Sequence, residues 1–583
     1  MQKTALLLAT SLLATFIAGC AALKSEPAES SDTPADQVIR ITPAENTAPV
    51  EYAELDPEVL YLLTSAEIAA QRGRYDITLG NYVRAAEISR DRSVITRAMR
   101  IAQSLNGDNA QLRLAQLWLE VEPDSMAALR ILAIQAVQRN DLKTALQHME
   151  RIMDLGGDAD FDNLAALASN LPPESQQELL VLYQQLSERY PDNLEIEYSI
   201  ALLLKIAKQP NTALVRLEPI LQQHPNFQPA LVLKGDLLYQ AGQPTAALDY
   251  LQRTTRRYPQ NRQMGTLYGR MLVSEGEMQG AQDEFARLMK AFPNIPGLRL
   301  SHALIAIENG EPELARDDLH LLIEQGHHLD EAHFYLGKIA DEQDLTEQAL
   351  SYYEQVTEGG HYFAALARIS ALRAADGDVD GALTRLQQLK AVNPEQAESF
   401  WLLEINLLLD SDRHQQAFET AGAGLAALPD SIRIRYARAM MHDRDGNIAD
   451  AEKDLRAILE REPENAVTLN ALGYILTSQP QRLDESEALI RRALQLAPDN
   501  AAIMDSMGWV LFLQGHPAEA LDYLKQAYSA YPDPEVAAHL GEVLWEMGEQ
   551  EQARIIWRES LQDFPEHPTL IETIERLTDG PTR

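Results

Sequence analysis

Cysteine, basic residues and long apolar runs are all scarce in this sequence. A single cysteine among 583 residues, Cys20, excludes an intramolecular disulfide. Lysine and arginine number 50 against 87 aspartates and glutamates, and the net charge of −37 argues against binding to nucleic acid or anionic lipid surfaces. After the N-terminal segment, no stretch is long and apolar enough to span a bilayer. At 45% hydrophobic and 23% charged residues, the composition is nevertheless typical of a globular chain.

A helix–turn–helix unit recurs along most of the chain, and its clearest copy covers residues 501–533. Gly508 and Ala520 are the small residues expected where two helices pack closely. Gly515 suits the turn between the helices, and Pro532 cannot continue the second helix. These residues at these spacings resemble the tetratricopeptide repeat (TPR), a unit of about 34 residues.

Two ladders of residues support this period. Small residues recur at the position of Ala520, at steps of 33 to 35 residues: Ala213, Ala247, Ala281, Ala315, Ala349, Ala382, Ala417, Ala451, Ser486, Ala520 and Ala553. Prolines recur at the position of Pro532: Pro191, Pro225, Pro259, Pro293, Pro394, Pro429, Pro463, Pro498, Pro532 and Pro565. One helix pair cannot bury its apolar face, so the copies must stack. The sequence therefore predicts an all-α fold, a superhelical solenoid of TPRs.

The N-terminal part of the chain has the pattern of an exported protein. Residues 1–19 have a positive start, a short apolar run and small residues before Cys20, which is typical of a signal peptide. The end of this segment, Ile17-Ala18-Gly19-Cys20, resembles a bacterial lipobox, which implies that Cys20 is diacylated. The alternative is an ordinary signal peptide with an incidental cysteine. Because the next residue is Ala21 and not aspartate, the resemblance implies an outer-membrane lipoprotein that faces the periplasm.

The rest of the chain divides by composition and by the regularity of the repeat. Residues 20–50 have too few large apolar residues to fold, so we expect a lipidated flexible tether. We expect an N-terminal helical region with degenerate TPRs at 51–193 and a regular TPR array at 194–567. Residues 568–583 are expected to form a capping helix and a tail, since an open solenoid end would expose apolar residues.

No pattern in the chain predicts a metal, a cofactor or a catalytic residue. The segment 376–381 matches half of an EF-hand loop, but Gln387 stands where a bidentate glutamate is required. We expect a polar turn there, with an aspartate that caps the next helix. Four histidines lack the spacing of a zinc site: His327, His328, His333 and His361. We therefore expect a protein without enzymatic activity.

The remaining class of function is the binding of another protein. The first helix of each pair is here called the A helix, and TPR arrays bind their ligands chiefly at its positions 2, 5, 9, 12 and 13. Residues at these positions with side chains typical of binding hot spots are Tyr198, Tyr239, Arg270, Phe334, Lys338, Asn406, Tyr436, Tyr474, Trp509, Phe512 and Trp545. The alternative is that some of these aromatic residues only pack against the next A helix. Asn470 stands alone, without the lysines and asparagines of a carboxylate clamp, so capture of an acidic C-terminus is not expected.

A closer resemblance rests on the run DSMGWVLFLQGHPAEALDYL…PDPEVAAHLGEVLWEMG, together with the lipobox, the tether and the long array. The chain is similar to the outer-membrane TPR lipoproteins that partner the periplasmic carboxyl-terminal processing protease of Gram-negative bacteria. The resemblance implies an adaptor that binds and activates this protease and presents protein substrates such as peptidoglycan hydrolases, and that touches the membrane only through its lipid. The alternative is a structural scaffold of an outer-membrane polysaccharide-export or pilus-assembly complex.

Overall fold

The computed structural model of the chain describes residues 56–578. These residues form α-helices and short 3-10 turns, without a β-strand, and none of their helices is long and apolar enough to cross a bilayer. The predicted signal peptide, Cys20, the tether and the last five residues lie outside the described part. The chain forms two compact units, one up to His328 and one from Leu329 onward.

The described part of the first unit consists of eight helix pairs, in which odd-numbered helices are A helices and even-numbered helices are their B partners. Its helices are α1 (Pro57–Gln71), α2 (Tyr75–Ser89), α3 (Arg92–Ser104), α4 (Asp108–Val121), α5 (Met126–Gln138), α6 (Leu142–Asp154), α7 (Phe161–Leu167), α8 (Pro173–Arg189), α9 (Leu194–Ile206), α10 (Pro210–Gln223), α11 (Gln228–Gln240), α12 (Pro244–Arg257), α13 (Arg262–Ser274), α14 (Met278–Ala291), α15 (Pro296–Glu308) and α16 (Pro312–Glu324).

The described part of the second unit consists of seven more pairs, with the same odd and even order, and a final helix. Its helices are α17 (Leu329–Glu342), α18 (Thr346–Tyr353), α19 (Tyr362–Ala375), α20 (Val379–Val392), α21 (Ala397–Asp410), α22 (His414–Ala427), α23 (Ile432–Arg444), α24 (Ile448–Leu459), α25 (Ala466–Leu476), α26 (Leu483–Leu496), α27 (Ala501–Leu513), α28 (Pro517–Ala530), α29 (Pro534–Glu546), α30 (Gln550–Asp563) and α31 (Pro568–Thr578).

The small-residue ladder lies in the seam between the two helices of each pair. Every member from Ala213 to Ala553 is at most 2% exposed. At the same level the A helix carries glycine in several pairs, and a Cβ atom on Gly508 would lie 2.5 Å from Cγ of Leu524. Larger side chains at either position would separate the helices. The predicted all-α TPR solenoid is therefore confirmed.

Local signals set where the helices begin and end. Four A helices begin after an asparagine whose side-chain oxygen accepts hydrogen bonds from backbone N–H groups of the first turn: Asn193, Asn261, Asn465 and Asn500. A helices commonly end before a glycine with positive φ, such as Gly515 at 85°. Glycine adopts this conformation without steric cost, so the chain can reverse there into the B helix.

The segment that resembles an EF-hand loop is a capped turn. Gly377 has a positive φ of 89°, and the side chain of Asp378 accepts a hydrogen bond from the backbone N–H of Gly381 at 3.0 Å. Helix α20 starts there, and Ala382 is buried within it. The expected polar turn with a capping aspartate is thus observed.

The helix pair α17–α18 departs from the regular repeat. Helix α18 ends at Tyr353 after only eight residues, and the chain reaches α19 through an irregular stretch. Asp330 accepts hydrogen bonds from the backbone N–H groups of Thr357 and Glu358, and Val356 is 4% exposed. The side chain of Asp330 therefore satisfies two backbone donors of this stretch that have no helical partner.

Candidate functional site

Three of the predicted binding residues belong to the first unit, and two of them contact the next A helix or its end. Tyr198 is 8% exposed and meets Phe227 edge to face at 5.3 Å, and burial raises the pKa of Tyr198 to about 12. Tyr239 donates to Glu275 at 2.8 Å. Arg270 is exposed. The burial of Tyr198 favours the alternative that it packs against the neighbouring repeat.

The first predicted residues of the second unit are separate from one another. Phe334 stacks on His361 with ring centroids 4.3 Å apart. The ammonium group of Lys338 lies 3.7 Å from Glu342 on the same helix, and Asn406 is exposed. None of these contacts joins more than two repeats.

Further along, side chains of three successive A helices meet. The hydroxyl of Tyr474 in α25 donates to Oε1 of Glu535 in α29 at 2.7 Å, past the intervening helix α27. From α27, Trp509 stacks on His539 of α29, with ring centroids 4.2 Å apart and planes 17° apart. The half-buried residues Tyr474, Trp509 and Glu535, with His539 and Asp505, are here called the A-helix site.

The imidazole of the A-helix site is held by a carboxylate. Nδ1 of His539 lies 3.0 Å from both carboxylate oxygens of Asp505. Burial lowers the pKa of His539, but the negative charges of Asp505, Glu535 and Glu542 outweigh it and hold the pKa above its ordinary value. The carboxylates around His539 therefore favour the protonated form of its imidazole.

Two residues of α23, Asp443 and Tyr436, also have raised pKa values. Asp443 is half-buried, and burial together with repulsion from Glu535 raises the pKa of its carboxyl group. Tyr436, on the same helix, has its pKa raised by burial and by Asp443. Burial and the carboxylate of Glu535 likewise raise the pKa of Tyr474.

The two remaining predicted aromatic residues lie beside the A-helix site on α27 and α29. Phe512 packs against Trp509 at 5.5 Å between ring centroids. Trp545 stacks on Trp557, which is 2% exposed, and the guanidinium of Arg554 lies 5.0 Å from the Trp545 ring centroid. Trp545 therefore has a clear packing role in addition to its partly exposed face.

The sequence reasoning selected the aromatic residues of this face and missed its acids and its histidine. Glu535, Asp505 and Asp443 occupy repeat positions 2, 5 and 12, which are among the positions at which TPR arrays chiefly bind. An excess of acidic residues at these positions was therefore a visible signal. His539 lies at position 6 and carried no such signal.

Comparison with known proteins agrees with the helix-pair geometry. Three family models described as tetratricopeptide repeat match residues 204–271, 464–533 and 506–568. A relative in Pseudomonas aeruginosa, the TPR repeat-containing protein PA4667, is 38% identical over 542 residues, which cover 93% of this chain and 90% of the relative. The chain belongs to the tetratricopeptide-repeat family. Proteins of this family are in general non-catalytic scaffolds for protein–protein interaction.

The solved structures that match this chain are more distant in sequence. A thermophilic TPR protein of Thermus thermophilus is 21% identical, with a TM-score of 0.29, over 30% of this chain and 97% of its own. The Cut9–Hcn1 complex of the APC/C includes a chain 14% identical, with a TM-score of 0.32, over 90% of this chain and 97% of its own.

Proposed function

We propose that this protein is a periplasmic lipoprotein adaptor, which binds and activates a carboxyl-terminal processing protease and presents protein substrates such as peptidoglycan hydrolases to it. The lipid on Cys20 would hold it at the outer membrane. The proposal rests on one observation about the helices α27 to α29. The sequence run with the closest resemblance to such adaptors forms α27 to α29, and these helices supply most of the A-helix site.

The geometry of the site favours a polypeptide as ligand. Side chains from α25, α27 and α29 meet on one face, so that this face extends over several helices. An extended or partly unfolded chain can contact several helices at once, whereas a small molecule would touch only one or two of them. Partly exposed aromatic residues provide apolar contact area of the kind that dominates binding energies.

An adaptor also explains how a non-catalytic array could promote a reaction. If the protease and its substrate bind to different parts of one array, their encounter becomes intramolecular. For short flexible linkages the effective concentration is on the order of millimolar. Proteolysis would then accelerate without any catalytic group on the adaptor.

Reconstitution with purified components tests the proposal. The protein alone should cleave neither proteins nor peptidoglycan, should form a stable complex with the protease, and should accelerate its cleavage of cell-wall hydrolases. Trp509→Ala and Phe512→Ala should weaken binding of protease or substrate. Tyr531→Ala, at an exposed residue at the end of B helix α28, is the matched control and should not. If the protease neither binds nor accelerates, the adaptor function fails, and an export or pilus scaffold becomes the better hypothesis.

A further inference from the structure

The first helix pair, α1–α2, exposes an unusual amount of apolar surface. Five large apolar side chains between residues 60 and 77 are each at least 40% exposed: Leu60, Tyr61, Ile68, Tyr75 and Ile77. Single exposed apolar residues are normal on a protein surface, but a group of them in one place marks a surface that contacts another molecule.

The first pair has the same internal register as the pairs further along the chain. The hydroxyl of Thr78 donates to the backbone oxygen of Ala66 at 3.3 Å, as that of Ser486 donates to the backbone oxygen of Gly473 at 2.6 Å. Ser486 belongs to the small-residue ladder, so Thr78 occupies the same position, 20, in the first pair. Val59 is then position 1 of α1.

Positions 3 and 10 of an A helix pack against the B helix that precedes it. In α23 they hold Ile434 and Met441, and in α27 they hold Ile503 and Val510, all at most 2% exposed. A Cβ atom on Gly424, in the B helix α22, would lie 3.2 Å from Cδ1 of Ile434. These two positions therefore belong to the contact between successive pairs.

In α1 the same two positions hold Tyr61, which is 70% exposed, and Ile68, which is 47% exposed. Helix α1 is the first helix of the described residues, 56–578, and no B helix precedes it there. Tyr61, Thr64, Ser65 and Ile68 follow the spacing of one helical face. This face, here called the α1 stripe, has the residues of an internal contact without a described helix to cover it.

The α1 stripe is uncharged and has no free donor at its centre. The hydroxyl of Thr64 donates to the backbone oxygen of Leu60 at 2.8 Å. Glu67 is directed to other helices of the same chain, because it accepts a hydrogen bond from Tyr82 and lies 3.7 Å from Arg97. Copies of a chain with a net charge of −37 repel one another, so an uncharged face is where two of them can meet.

The area of the first pair is sufficient for such a contact. Taking about 120 Å² for a whole aliphatic side chain and about 200 Å² for an aromatic one, the five exposed fractions amount to roughly 400 Å² per copy. Apolar atoms make up about 60% of a typical interface, so two copies would bury roughly 1,300 Å² in total. Specific interfaces begin at about 1,200 Å².

We propose that two copies of this chain associate through the α1 stripe, with their α1 helices antiparallel about a twofold axis. Tyr61 of each copy then packs on Ile68 of the other, since the two positions are equally far from the centre of the stripe. The small residues Thr64 and Ser65 lie at the centre and let the helices approach closely. Glu58 comes opposite Gln71, so that no two carboxylates face each other. The inference does not depend on the proposed function.

The mass of the full chain in detergent tests this directly. Sedimentation equilibrium, at a solvent density that matches the detergent, should show particles that approach the mass of two chains as the concentration rises. Tyr61→Asp/Ile68→Asp should raise the dissociation constant at least about hundredfold, because each dimer would then bury four carboxylates. Both side chains are exposed within one chain, so hydrogen exchange in the helices from α3 onward should stay unchanged.

The matched control is Val215→Asp/Val392→Asp, which makes the same kind of change at two isolated residues that are 72% and 73% exposed on α10 and α20. This variant should dimerise like the unaltered chain. A single new thiol gives a second readout. Thr64→Cys should form a disulfide-linked dimer on oxidation, because the axis brings residue 64 of both copies together. Val215→Cys should not exceed the background of the unaltered chain, which has Cys20 alone.

An exchange of charges tests the antiparallel contact itself. Tyr61→Asp/Ile68→Lys places opposite charges against each other twice across the axis, so it should dimerise about tenfold more tightly than Tyr61→Asp/Ile68→Asp. No gain from this exchange would contradict the antiparallel contact. A monomer at every concentration would mean that the segment before residue 56 or another protein covers the stripe, and would overturn the proposal. Equal dimerisation of Tyr61→Asp/Ile68→Asp and its control would overturn it as well.

Discussion

Gly541 in α29 tests the packing of the helix pairs, because the space for its missing Cβ atom is already filled. A Cβ atom there would lie 1.9 Å from Nε1, 2.4 Å from Cε2 and 2.7 Å from Cδ1 of Trp557 in α30. Trp557 is 2% exposed and stacks on Trp545, so the rigid indole cannot move aside without disturbing its neighbours. We expect Gly541→Ala to force α29 and α30 apart.

Two opposing effects determine how much Gly541→Ala changes the stability of the pair α29–α30. Alanine is better than glycine in a helix interior by about 1 kcal/mol, whereas overpacking a filled core costs about 1–3 kcal/mol. Since the indole contacts at Gly541 are so short, we expect overpacking near its upper value and a net destabilisation of about 2 kcal/mol. Gly422→Ala in α22 is the matched control. A Cβ atom there would have nothing within 4 Å, so this variant should gain about 1 kcal/mol.

Hydrogen exchange resolved by peptide is the appropriate assay, because stability in a solenoid is local. Gly541→Ala should accelerate exchange in α29, α30 and their neighbours, whereas Gly422→Ala should slow it in α22. Adding Trp557→Phe to Gly541→Ala should recover part of the loss, and since Nε1 of Trp557 has no partner among the described residues, it removes no hydrogen bond. If Gly541→Ala stabilises its helix as much as Gly422→Ala does, the packing argument is wrong.

Three further predictions address the anchor, the repeat register and the buried histidine. Cys20→Ser should leave the protein soluble or uncleaved, and unchanged sedimentation with membranes would contradict the lipid anchor. Ala281→Trp should overpack the pair α13–α14 by at least about 1–3 kcal/mol, with protease nicking near 262–295, and an undisturbed digestion pattern would contradict the register. Because the folded pKa of His539 lies above its ordinary value of 6.5, its stabilising contribution is complete below pH 6.5 and is lost as pH rises through the folded pKa. The Tm should fall over that range, and an equal fall in His539→Gln would refute the assignment.

The repeat could be predicted from the sequence because its rules are local. Contacts within one helix pair require a small residue at the position of Ala520 and favour a proline at that of Pro532. Similar contacts recur from copy to copy. The shortened helix α18 could not be predicted this way. Its connection depends on Asp330, which lies in the preceding A helix and caps the irregular stretch from 27 residues away.

The A-helix site could be predicted only in part, for a related reason. Repeat positions identify which residues lie on the exposed face of an A helix, and this gave Tyr474 and Trp509. Whether residues of different helices touch depends on the rotation between successive pairs, which accumulates over several repeats. Tyr474 and Glu535 are 61 residues apart in the sequence, and the helix pair α27–α28 lies between them in the chain. No local sequence pattern therefore predicts their contact.

Photocrosslinking in cells tests the central claim most directly. A photoreactive phenylalanine derivative in place of Phe512 lies on the A-helix face, and the same group in place of Tyr531, which is 49% exposed at the end of α28, serves as the control. Mass spectrometry should identify the carboxyl-terminal processing protease or a peptidoglycan hydrolase in adducts from position 512 and not in those from position 531. Adducts with components of an export or pilus machine, or equal protease adducts from both positions, would contradict an adaptor that binds through its A helices.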